Sequence, residues 1–174
     1  MGEMGRVLCL TVLLVAPVCS QQAANFSGVW RMDATRSESA HQAVPIGPVT
    51  LVIKASPAAL RIETRRAAAG KGGASSETLN FSLDGSEHAT FDKSGALMKT
   101  KGRVDGEKLV TEVTRNVQGS TVTSVQTFSL DAGGKELIID KTLTVQHGYQ
   151  SNNADDNNTG KGRDVFVRSK ARPN

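Results

Sequence analysis

Three histidines, His41, His88 and His147, are the side chains best suited to bind a metal or carry a proton near neutral pH. A zinc or haem site needs ligands at recognisable spacings, and none of the three has a second ligand so placed. They read as solvated or partly buried histidines, and no metal or other cofactor is expected. Asp155-Asp156-Asn157-Asn158-Thr159-Gly160 has the oxygen-rich composition of a calcium loop. An EF-hand places a bidentate glutamate at the twelfth position, which here is Phe166. No Gly-x-Ser-x-Gly elbow exposes a serine nucleophile. Ala69-Gly70-Lys71-Gly72-Gly73 lacks the strand and the spacing of a phosphate-binding loop. Acid–base chemistry would then fall to the in-strand carboxylates Glu112 and Asp140. Each alternates with apolar or β-branched neighbours, Glu112 with Thr111 and Val113, Asp140 with Ile139, and so belongs on a wet face. No catalytic residue is assigned.

The elements that would position such groups are strands. Asp84-Gly85, Ser94-Gly95, Asp105-Gly106, Gln118-Gly119 and Gly133-Gly134 recur at near-regular intervals, and such pairs suit tight hairpins that need positive φ. Between them lie runs of Val, Thr, Ile, Leu and Phe, which fit a pleated surface. The expected strands are 26–33, 49–54, 59–66, 77–83, 87–92, 97–104, 108–116, 121–130, 136–145 and 163–169. Leu60 and Ile62 oppose Arg61, Glu63 and Arg65, and Leu79, Phe81 and Leu83 oppose Thr78, Asn80 and Ser82. This period of two marks antiparallel strands with one wet face. No window sustains a 3.6-residue period. The expected fold is all-β: an up-and-down meander of about eight to ten strands closed into a barrel, which removes its edges, with a sandwich second. Residues 34–48 are read as a short helix or lid, 67–76 as a flexible linker, and 147–162 as a long polar loop.

The N-terminus has the pattern of a secretory signal: Arg6, an apolar run from Val7 to Val18, then small and polar residues. The run is too short to span a bilayer as a helix. Cleavage is expected after Ser20, giving residues 1–20 as a signal peptide and 25–170 as one domain, exported to the periplasm or secreted. Lipid anchoring at Cys19 is the lesser alternative, because Val18 is bulky for the position before a lipidated cysteine. Cys9 and Cys19 both fall in this segment, so the mature chain has no disulfide. Its stability must come from a core, and about 150 residues suffice for one. The net charge of +4 is scattered rather than concentrated, and no aromatic rings interleave with it. That pattern argues against nucleic acid as a partner.

Phe26-Ser27-Gly28-Val29-Trp30 opens the mature chain, and Val165-Phe166-Val167-Arg168 nearly closes it. A Gly-x-Trp on the first strand of a meander this long resembles the lipocalin-like, or calycin, proteins, and in particular small exported bacterial proteins with such domains. The resemblance implies that Trp30 plugs one end of the barrel while Arg168 packs across it and Gly28 leads into it. A guanidinium can lie flat on an indole and still donate to carbonyls around its rim. There is no Thr-Asp-Tyr segment and no helix after the last strand, so the resemblance is to the broader calycin class. Three readings of function follow. The first is a barrel holding a small hydrophobic ligand. In the second, a structural or interaction protein, the barrel is filled by its own side chains. An enzyme on the same scaffold is the third.

Overall fold

A computed structural model describes residues 25–41, 47–68, 73–92, 94–147 and 157–170. The expected signal segment with Cys9 and Cys19 lies outside the described residues, as do Asp155, Asp156 and parts of the expected lid, linker and loop. Ten strands make one antiparallel sheet: β1 (Gly28–Met32), β2 (Val49–Ala55), β3 (Ala59–Arg66), β4 (Ser75–Ser82), β5 (Asp84–Phe91), β6 (Leu97–Asp105), β7 (Lys108–Val117), β8 (Ser120–Leu130), β9 (Glu136–Gln146) and β10 (Asn157–Arg168). Between β1 and β2 a 3-10 turn, η1, covers Glu38–His41.

Each expected strand is present. The largest departure is β10, which starts at Asn157 where the sequence suggests a loop up to residue 162. The cause is tertiary: Asn157 to Gly162 pair in register with Gln146 to Lys141 of β9, whose ladder satisfies the backbone of a segment with weak strand preference.

The strand order β4-β3-β2-β1-β10-β9-β8-β7-β6-β5 is a meander in which the first and last strands pair at the centre. The sheet curls into a nearly closed barrel, with β4 and β5 facing one another across a gap. Asp84-Gly85, expected to make a tight hairpin, instead bends the chain between the two edges. Gly85 has φ +79°, and the β5–β6 register slips between Asp84 and Glu87. A bulge of this kind turns a strand sharply.

The walls come together below the gap, at Gly102 of β6. A Cβ there would lie 2.7 Å from the Ser82 carbonyl oxygen and 2.9 Å from the Phe81 Cβ of β4, so only glycine permits the approach. The core lies toward the same end. Phe26, Trp30, Ile53, Leu60, Leu109, Phe128 and Leu137 are buried there and pack into one cluster.

Gly102→Val is expected to push β4 from β6 and lower stability by about 1–3 kcal/mol, the usual cost of overpacking. The midpoint of urea unfolding measures it; an unchanged midpoint would show that the approach is not needed.

Candidate functional site

The two ends of the barrel differ. At the packed end, the pairing of β1 with β10 sets Trp30 opposite Arg168. Trp30 is fully buried, and its indole N–H donates to the Phe26 carbonyl at 3.0 Å. The Arg168 guanidinium carbon lies 4.1 Å from the indole centroid. From that position the guanidinium donates to the carbonyls of Gly134 (2.8 Å), Ser27 (2.8 Å) and Asn25 (2.7 Å). Burial draws its pKa below the usual arginine value, with the Asp131 charge acting the other way. Gly28 has φ +150°, and a Cβ there would sit 2.7 Å from Arg168 Nη1. The glycine of the Gly-x-Trp pattern thus makes room for the arginine.

Toward the other end the lumen opens into two adjoining chambers of about 320 and 250 Å³. Ile62, Thr64, Arg66 and Gln126 line both. Leu79, Phe81, Val113 and Val122 give the larger chamber apolar wall, and Met32, Leu51, Phe128 and Phe166 do so for the smaller. The lining is amphipathic: mostly hydrocarbon, with hydroxyls, an amide and charges set into it.

Two of those charges are held by partners. Arg115 of β7 donates to Glu77 of β4 at 2.6 Å, a brace from an edge strand to the opposite wall. Lys141 of β9 pairs with Asp164 of β10 and donates to the Ser39 hydroxyl at 3.0 Å. Asp164 also accepts the Ser39 N–H at 2.9 Å, which ties η1 to the barrel wall. Burial opposes ionisation of Asp164, but the Lys141 ammonium and the Ser39 donors together hold its carboxyl below the usual range. Ser37 adds a second tie: its hydroxyl donates to the Val165 carbonyl at 3.1 Å and accepts the Val165 N–H at 3.0 Å.

The chemistry-bearing residues singled out from sequence lie elsewhere. Asp140 points away from the lumen and accepts from Arg163 at 2.6 Å, and Glu112 shares the outward phase of β7. His41 is exposed at the end of η1. His88 lies 2.8 Å from the Ser86 hydroxyl and 3.2 Å from Asp84 on the exposed strand β5. Both contacts use the same ring nitrogen, so no base-and-orienter relay is possible. His147 contacts Ser120 at 3.4 Å and Asn158 at 3.2 Å. Among the described residues no three His, Cys, Asp or Glu side chains converge as metal ligands.

Luminal charges were the residues that sequence reading passed over, although they leave a signal. In β9, Lys141 follows Leu137 and Ile139 in one phase, and in β7 Arg115 follows Leu109, Thr111 and Val113. Arg66 follows Leu60, Ile62 and Thr64 in β3, and Glu77 precedes Leu79 and Phe81 in β4. A charge in the apolar phase of an amphipathic strand points to the interior.

No protein-family model and no curated protein sequence matches the chain. Solved structures do. The REP1-NXSQ fatty acid transporter is 16% identical with a TM-score of 0.52, over 86% of this chain and 100% of its own. Lipid binding protein 8 (LBP-8) of Caenorhabditis elegans is 14% identical with a TM-score of 0.51, over 83% and 96%. A secretary abundant heat soluble (SAHS) protein from Ramazzottius varieornatus is 14% identical with a TM-score of 0.53, over 83% and 96%.

Two substitutions probe the ends of the barrel. Arg168→Met keeps much of the packing but leaves three carbonyls without their donors; the expected loss is about 2–4 kcal/mol, with Trp30 emission moving to the red. Equal stability of the two proteins in guanidinium would refute this account. Asp164→Asn leaves Lys141 without its counter-charge. The expected cost near neutral pH is about 2 kcal/mol, less than the ~3–5 of a fully buried pair, since 30% of the Lys141 side chain is exposed. A carboxyl with a depressed folded-state pKa stabilises above its unfolded value, near 3.8, and that contribution fades as pH falls through the lower folded value. The gap between the two proteins should therefore narrow between pH 5 and the acid limit, and a pH-independent gap would exclude the ion pair as its source.

At these levels of identity the likeness concerns the fold alone, and that fold is the calycin-type, lipocalin-like β-barrel.

Proposed function

We propose that the protein is an exported, non-catalytic carrier that holds a small, largely apolar ligand in the open half of its barrel. The observation that carries the reading is the pair of adjoining luminal chambers, about 320 and 250 Å³, walled mainly by hydrocarbon. Cavities of ~300 Å³ and above accommodate small ligands, and apolar lining with a few polar groups is their usual make-up. A barrel filled by its own side chains would have no such space. Two of the structures sharing the fold are described as a fatty acid transporter and a lipid binding protein, which supports the same reading. In it, Gly28, Trp30 and Arg168 shut one mouth and provide the rigid base against which the other half stays open.

The test is uptake of a neutral, polarity-sensitive dye such as Nile red by the delipidated mature chain, together with native mass spectrometry of protein from its own source. Trp30 lines neither chamber, so its emission reports the packed end and not occupancy. Ser124 lines the larger chamber; Ser124→Trp is expected to fill it and weaken dye binding at least tenfold with the far-UV spectrum unchanged. Dye binding that ignores this substitution would place the ligand outside the lumen.

A further inference from the structure

We propose that β5 carries a second binding site: its free edge, facing β4 across the gap, takes an extended segment of a partner polypeptide as an added strand. Asp92 N–H donates to the Ala96 carbonyl at 3.0 Å, and the β5–β6 register runs unbroken from there back to Glu87. Antiparallel pairs alternate between bonded and non-bonded. Thr90 and His88 therefore spend their main-chain groups on β6, while Glu87, Ala89 and Phe91 turn theirs to the gap. On the other wall, Leu83 N–H donates to the Ala58 carbonyl at 2.9 Å, in step with the β3–β4 register. The same alternation turns Thr78, Asn80 and Ser82 to the gap. The Ser82 carbonyl, 2.7 Å from where a Gly102 Cβ would lie, agrees with that phase. β4 and β5 are the two ends of the sheet and share no ladder. Among the described residues, the main-chain groups of Thr78, Asn80, Glu87, Ala89 and Phe91 have no hydrogen-bond partner.

A row of N–H and C=O groups repeating about every 7 Å is the complement of another extended main chain. Sheet edges are commonly guarded by lysine, proline or a bulge. Here the bulge covers only Asp84 to Glu87, and β5 contains neither lysine nor proline. The strand has no buried residue. Phe91 is 69% exposed, and Leu97, opposite it on β6, is 53% exposed, an apolar pair beside the free row.

The shape of the gap selects the form of the partner. Between the upper parts of the two edges lies an opening of about 310 Å³, lined by Leu79, Met98, Phe91, Glu77, Asp92 and Arg115 among others. A single strand fits there with one apolar side chain set on Leu79 and Met98. The edge of a second folded sheet does not, because its body would meet the opposite wall. The occupant is therefore a free tail or loop of another protein. Among the described lining residues, the carboxylates Glu77 and Asp92 face one cation, Arg115, so basic side chains flanking the apolar one are favoured over acidic ones.

The probe is the capped peptide acetyl-Lys-Leu-Thr-Leu-Thr-Leu-Lys-amide, titrated into the mature chain by calorimetry. Two companions carry N-methyl groups on the leucine or on the threonine nitrogens, and a third has glutamate in place of lysine. The parent should bind, methylation of at least one row should weaken it tenfold or more, and the glutamate peptide should bind several-fold more weakly. Ala89→Pro removes an N–H that faces the gap and leaves the β5–β6 ladder intact, a position where proline is tolerated. It should weaken the peptide at least tenfold while Nile red uptake stays within about twofold; Phe91→Ser should weaken the peptide several-fold. Circular dichroism checks that each variant is folded. No binding of the parent peptide, equal binding of both methylated forms and the parent, or an affinity unchanged by Ala89→Pro would overturn the edge site and leave the luminal carrier standing. A wild-type dimer in size-exclusion chromatography that Ala89→Pro converts to monomer would give the edge to a second copy of the chain and overturn the free-segment assignment.

Discussion

The stack of the Arg168 guanidinium on the Trp30 indole stands where the first and last strands of the sheet meet. A meander of ten strands becomes a barrel only if its termini are brought together, and the β1–β10 pairing does this over just three residue pairs. A junction so short needs more than ladder hydrogen bonds. The guanidinium supplies it, covering the indole and gathering carbonyls from residues 25, 27 and 134. The same constraint explains Gly28, which accepts a positive φ and gives up a side chain so that the arginine fits.

With one end consolidated, the other is free to stay open. The packed cluster takes the large aromatics and leucines, and the lining becomes lighter and more polar away from it, through Thr64, Thr111, Ser124 and Gln126. Those side chains do not fill the width of an eight-to-ten-stranded barrel, so space remains. The charges set among them are costly to bury singly, and the structure resolves the cost by pairing. Glu77 with Arg115 spans the gap between the edge strands and the opposite wall. Lys141 with Asp164 anchors η1 through Ser39. Each pair therefore serves the architecture as well as its own neutrality.

The gap between β4 and β5 follows from local geometry. Leu83 alone separates the two strands in sequence, yet its N–H donates to Ala58 of the β2–β3 connection and not across a hairpin. The bulge after Asp84 then carries β5 away to pair with β6. Gly102 brings the walls into contact lower down, and higher up the opening of about 310 Å³ is lined by Leu79, Phe91, Met98 and the Glu77–Arg115 brace.

The all-β class, the number of strands and nearly all their limits were legible in the sequence, because a period of two and glycine turns are local properties. Gly28, Trp30 and Arg168 were singled out through the resemblance of the Gly-x-Trp opening to the lipocalin-like proteins. What local pattern could not supply was partnership. Asn157 to Gly162 have weak strand preference, and only the ladder of β9 makes them a strand. Asp84-Gly85 reads as one more hairpin, and only the curl of the sheet makes it a boundary between edges. Alternation within the strands also holds the side that Arg66, Glu77, Arg115, Lys141 and Asp164 take, although sequence reading passed over it. Which of them neutralise one another was decided by strands far apart in the chain meeting across a cavity, a relation of distance in space that no spacing along the backbone encodes.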